Sequence, residues 1–125
     1  MGNPQKAKGD KYERELAEHI NSNTGLQSSR APLSGGGVVG ILSGGADILG
    51  TPGMFIEAKR VERLNFHDAL RQVERNLDTR NSDEAPVVIN RKNRMTTGDS
   101  LCLLRLDDLL RFYRAYLLSE GHVKE

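Results

Sequence analysis

Residues 44–60 read GGADILGTPGMFIEAKR. Asp47 stands in a short apolar run, residues 46–49, and the turn Gly50-Thr51-Pro52-Gly53 separates that run from a second, residues 54–60. A connection this short joins neighbouring antiparallel strands. Side chains alternate faces along a strand, so Phe55, Glu57 and Lys59 share one face while Ile56 and Ala58 take the other. Asp47, Glu57 and Lys59 thereby meet at the lip of a sheet. Two carboxylates suit a hard, oxygen-seeking cation such as Mg²⁺, and an ammonium beside them can orient water or neutralise a phosphate. Glu-x-Lys by itself is an ordinary solvated strand face in a chain that is 28% charged. The aspartate one hairpin upstream lifts it above that.

Upstream, residues 8–20 have helical spacing. At 100° per residue Leu16, Ala17 and Ile20 form one apolar stripe, and Glu13 falls on the same face, whereas Glu15 and Glu18 project toward solvent. A carboxylate on a core face is costly unless it is paired, protonated or bound to metal, so Glu13 is the unusual acid of this helix. Residues 26–31 read as a first strand that Pro32 ends. Six glycines among residues 34–45 then argue against a helix and for a hairpin or loop. Ser34 and the glycines after it can approach a phosphate backbone closely, although a plain loop explains them equally well.

Downstream, Asn65 is a candidate N-cap for a second helix, whose buried stripe would be Phe66, Ala69, Leu70, Val73 and Leu77. Residues 85–89 and 101–104 read as further strands, joined by the polar segment 90–100. Asp107 would cap a last helix that Gly121 stops. Leu109, Leu110, Tyr113 and Leu117 of that helix would cover the sheet, leaving Phe112 and Tyr116 as an adjoining apolar strip. The expected fold is α/β (α+β), a mixed sheet flanked by helices in the order α-β-β-β-α-β-β-α. The 125 residues suit one domain, with residues 1–7 and 121–125 expected to be flexible ends.

Composition narrows the function. A net charge of +1 excludes a histone-like polycation, so DNA binding would need a local basic face. Lys8, Lys11, Arg30, Arg60, Arg63 and Arg91 are the candidates. A lone cysteine, Cys102, excludes an intramolecular disulfide, and its apolar neighbours suggest a small buried side chain. His19, His67 and His122 lack metal-ligand spacing. No phosphate loop, dinucleotide fingerprint, signal peptide or membrane-length apolar run occurs, so the expectation is an intracellular, cytoplasmic protein with no membrane and no nucleotide cofactor.

The set Asp47, Glu57 and Lys59 resembles the active site of the PD-(D/E)XK nuclease superfamily. Residues 8–16, KGDKYEREL, further resemble the Lys-Gly-x-x-x-Glu-Arg-Glu-Leu opening of archaeal-type Holliday-junction resolvases and related phage endonucleases. Two departures stand out: Ala46 precedes Asp47 where a proline is common, and the glycine-rich stretch is longer than in the archaeal pattern. The resemblance implies a restriction-endonuclease-like domain and Mg²⁺-dependent hydrolysis of DNA phosphodiesters, with Mn²⁺ able to substitute. It implies that Glu13, Asp47, Glu57 and the Ala58 carbonyl are metal ligands, that Lys59 is catalytic, and that Gln72 matches a glutamine some members carry after Glu-x-Lys. An ordinary polar helix residue explains Gln72 as well. The substrate implied is branched or duplex DNA, most specifically a four-way junction cut by a homodimer of a phage-encoded protein in a bacterial cell. The alternatives are a repair or restriction-like nuclease, or a DNA-binding module of the same fold without hydrolysis.

Overall fold

A computed structural model describes residues 3–32, 45–78 and 83–125. The chain runs α1 (Pro4–Thr24), β1 (Ser29–Arg30), β2 (Ile48–Leu49), β3 (Met54–Lys59), α2 (Phe66–Asp78), β4 (Ala85–Asn90), a single 3₁₀ turn (Thr97–Asp99), β5 (Leu101–Leu103) and α3 (Leu106–Ser119). This is the order expected from sequence. The strands form one mixed sheet in the order β1-β2-β3-β4-β5, antiparallel throughout except for the parallel pair β3–β4. This arrangement is consistent with the restriction-endonuclease-like domain that the resemblance implies.

Helices α1 and α2 lie on opposite faces of the sheet, so there are two apolar layers. Tyr12, Leu16 and Ala17 of α1 pack with Ile48, Ile56, Val87 and Ile89. Ala69, Leu70, Val73 and Leu77 of α2 pack with Phe55 and Val88. Phe55 and Ile56 thus enter different layers, as strand alternation requires. Every residue of β4 is buried, and β3 pairs with it from Met54↔Ala85 to Lys59↔Asn90. The strand that carries Glu57 and Lys59 is therefore held along its full length by the most buried strand of the domain.

Several boundaries differ from the sequence reading, each for a local reason. Helix α1 starts four residues earlier because Asn3 caps it: the Gln5 N–H donates to Asn3 Oδ1 at 3.0 Å, and Pro4 fits the first turn. It ends at Gly25, whose φ of 81° gives the left-handed cap that glycine adopts readily. Strand β1 shrinks to two residues because Ser28 is tied to α1 instead of the sheet, bonding Asn21 and the Ala17 carbonyl. Asn65 does cap α2, accepting from the Asp68 N–H at 3.1 Å. Asp107 does not cap α3. Arg105 holds that position without a side-chain bond, and Asp107 and Asp108 sit in the first turn, where they complement the helix dipole.

Two burial expectations fail at the same edge of the sheet. Cys102 is exposed, because three-residue β5 is an outer strand. Leu109, Leu110 and Tyr113 do not cover the sheet, and no residue of α3 is buried. Both sheet faces are already occupied by α1 and α2, which leaves α3 at the periphery.

Candidate active site

Strand β2 is too short to pair with all of β3. Its register stops at Ile48↔Ile56, and the backbone continues one residue further through the Asp47 N–H to the Ile56 carbonyl, 2.9 Å. The next β3 donor toward that side, the Ala58 N–H, is taken by the Asp47 side chain, which accepts at Oδ2 over 2.8 Å. A carboxylate thus replaces a missing stretch of strand. It lies close enough to Glu57 for the two carboxylates to raise each other's cost of ionisation. Lys59 Nζ lies 3.3 Å from Glu57 Oε1, with both side chains less than one-third exposed.

The electrostatics follow from this crowding. Burial pushes the Asp47 pKa up to about 7, and the Glu57 charge adds to the rise, against the opposing pull of the Ala58 N–H and of Lys59. Two partly buried carboxylates close enough to share a proton form a hard oxygen donor set that a divalent cation relieves better than a proton does. The pair therefore fits a Mg²⁺ ion. Among the described residues no group of three His, Cys, Asp or Glu side chains is close enough to hold a metal unaided. Further ligands would come from backbone, solvent or substrate.

Glu13 stands apart from that pair. Its carboxylate accepts from Arg30 at Nε and Nη2 over 3.1 and 2.8 Å, and Arg30 also reaches Asp10 at 2.9 Å. Burial raises the Glu13 pKa more than Arg30 lowers it, and the charge of Asp47 raises it further, so the two acids sense each other. The Lys6 hydrogen bond, with help from Arg30, holds the Asp10 carboxyl below its usual range. Arg30, expected on the DNA track, is thus a bracket that fastens the start of the sheet to the acidic face of α1. Asp10 was not singled out from sequence, although its spacing three residues before Glu13 places it on the same helix face.

Beside Lys59 a cavity of about 500 Å³ opens between α1 and the end of β3, lined among others by Gln5, Lys8, Gly9 and Arg60. Lys8 bonds Asn93 at 2.8 Å and Arg60 bonds the Arg91 carbonyl at 3.2 Å. Arg91 is committed to Glu15 at 2.9 Å and to the Met95 carbonyl, so Glu15 does not simply project into solvent. Lys11 is exposed and 3.8 Å from Glu15, and Arg63 is exposed. Gln72 is exposed on α2 and hydrogen-bonds to neither acid. Ser34 lies outside the described residues.

Asn90 is the functional neighbour that sequence reasoning missed. Its amide, 2% exposed, accepts from the Val61 N–H at 3.0 Å and donates to the Val61 carbonyl at 2.9 Å. That clasp fixes the chain two residues after Lys59. A polar residue closing an apolar strand was its only trace in the sequence.

The family model described as "Phage putative PDDEXK endonuclease" matches residues 4–116. No curated protein and no solved structure matches the chain.

Proposed function

The chain belongs to the phage PDDEXK endonuclease family, which implies a phosphodiester hydrolase acting on DNA, and we propose that it is a Mg²⁺-dependent endodeoxyribonuclease that resolves four-way junctions. The convergence of Asp47, Glu57 and Lys59 on the β2–β3 hairpin carries the hydrolytic reading. Asp47 and Glu57 would hold the cation, with the Ala58 carbonyl a further ligand and Glu13 acting on its surroundings from α1. Bound there, Mg²⁺ supplies Lewis acidity toward a phosphate oxygen. The Ala58 N–H and the Arg30 guanidinium orient Asp47 and Glu13 before any substrate arrives. Lys59 orients water or donates to the phosphate as negative charge develops on it. Lys8 and Arg60, with Lys11, Arg63 and Arg91 further out, would give the DNA backbone a salt-sensitive track.

The junction as substrate rests on the opening motif at residues 8–16 and on its requirement for paired cuts, which two copies of a small chain would satisfy. The test is incubation with labelled four-way junction, flap and linear duplex, each with Mg²⁺ or EDTA. Symmetric nicking of the junction in Mg²⁺ alone is expected. Equal cutting of linear duplex would overturn the junction reading, and no cutting of any substrate would overturn the nuclease reading.

A further inference from the structure

The cavity between α1 and the end of β3 is larger than the cleavage chemistry needs. Its volume of about 500 Å³ falls in the range of roughly 300–1,000 Å³ common to sites for small organic ligands, and a bare phosphate would leave most of it empty. Gly9 lines it from the interior of the 21-residue helix α1. Glycine is a poor helix former, and nothing in the fold asks for one here. A Cβ at Gly9 would meet no atom within 4 Å, and its φ lies outside the left-handed region. The space a side chain would take is left to the cavity. Lys8 and Arg60 line the same space. Lys8 donates to Asn93 Oδ1 and Arg60 to the Arg91 carbonyl, and among the described residues neither has a carboxylate at ion-pair distance. Val61 gives an apolar wall: its side chain is 40% exposed while the Asn90 clasp fixes its backbone. Glu62 holds the Asn93 N–H at 2.8 Å with one carboxylate oxygen, and the Gln5 amide has no partner among the described residues.

We propose that this cavity is a subsite for one unpaired nucleotide of the strand being cut, the nucleotide next to the scissile phosphate. The proposal rests on DNA being the substrate and adds which form of DNA the site selects. The lining matches each part of a nucleotide. Two cations without carboxylate partners suit its phosphate. A carboxylate repels phosphate but accepts from the amino group of adenine, cytosine or guanine, so Glu62 and the Gln5 amide suit a base edge. Val61 and the bare backbone at Gly9 leave room and apolar surface for the ring. The walls decide that the nucleotide is unpaired. Helix α1 stands on one side and residues 58–62 on the other, so a base enters only after leaving the helical stack. Unstacking costs least where pairing is already broken, and a branch point supplies such a nucleotide. Lys59 stands between this cavity and Glu57, which sets the bound nucleotide beside the hydrolytic residues.

Fluorescence titration of the full chain in EDTA reads the subsite without any cleavage. The probe is a short duplex carrying one unpaired 2-aminopurine, compared with the same duplex in which that base is paired with thymine. 2-Aminopurine is dim while stacked and bright when freed, and the cavity lining holds no aromatic ring to quench it. Binding should brighten the unpaired probe severalfold and be about tenfold tighter than for the paired one. Gly9→Leu, which fills the cavity, should abolish the brightening and bring the two affinities within about twofold, with the far-UV circular dichroism unchanged. Gly9→Ala should raise the urea midpoint, because α1 has no structural use for the glycine. Equal affinities, or no binding of either probe, would overturn the proposal. So would a Gly9→Leu protein that still brightens the unpaired probe, or a lower urea midpoint for Gly9→Ala. A protein that cuts DNA yet fails here loses only the subsite. One that brightens the probe yet cuts nothing loses only the nuclease reading.

Discussion

At pH 7 Asp47 is near its own midpoint of ionisation, and this sets two expectations for the metal-free protein. Folded, it titrates at about 7, against 3.8 for the isolated group. Between those values the folded chain keeps a proton that the unfolded chain has released. Stability therefore falls as pH rises from about 4 to about 7 and levels off above. Asp47→Asn should remove most of that fall, as read by urea denaturation in EDTA at several pH values. An unchanged slope in the variant would show that burial does not hold the proton on Asp47. The same proton competes with the cation, so Mg²⁺ affinity should drop about tenfold per pH unit below 7. In turnover, Asp47→Asn, Glu57→Gln and Lys59→Ala should each lower cleavage by roughly a hundredfold or more with the fold intact. Glu13→Gln should also impair cleavage strongly. Glu15→Gln, which weakens a half-buried pair with Arg91, should cost about 1 kcal/mol of stability and little turnover. Equal, small effects of Glu13→Gln and Glu15→Gln would sever α1 from the chemistry.

At the scale of elements, precision at the site comes from the parallel pair β3–β4 together with the Asn90 clasp. Strand β3 leaves the sheet at Lys59, and the next residues are held by the two bonds from Asn90 to Val61 together with the Arg60 bond to the Arg91 carbonyl. Asn90→Ala leaves both backbone groups of Val61 seeking water at a partly buried position. It should cost about 1–3 kcal/mol, visible as a lower urea midpoint at unchanged m-value. Cleavage should fall beyond what the lost stability explains, because the end of β3 loses its fixed exit. A variant with wild-type turnover below its melting point would show that β4 pairing alone holds Lys59.

The whole molecule is two apolar layers around one sheet, with its charged work concentrated at one end of β3. Neither layer needs a metal to form, so the protein should stay folded in EDTA. Mg²⁺ at about 100 times its Kd should then add roughly 2.7 kcal/mol, a shift of several degrees in melting temperature. The Asp47→Asn/Glu57→Gln double variant should show no shift. An equal shift in that variant would place the cation elsewhere. This measurement needs no DNA and no activity.

Local pattern alone determined the element order, the face alternation along β3 and the grouping of Asp47, Glu57 and Lys59. Each depends on spacing within a few residues: a four-residue turn, a period of two, a period of 3.6. The core-side position of Glu13 was legible for the same reason. Tertiary structure decided what each side chain meets across the chain. Arg30 reads as a DNA contact by charge, but folding sets it between Asp10 and Glu13, seventeen to twenty residues away. Arg91 is drawn to Glu15 across seventy-six residues, and Asn90 finds Val61 only once β3 and β4 are parallel neighbours. The stripe on α3 was legible as apolar, yet its direction was not. An amphipathic period says that a helix has a buried side; only the packing of α1 and α2 on the two sheet faces left that side without a place inside its own domain.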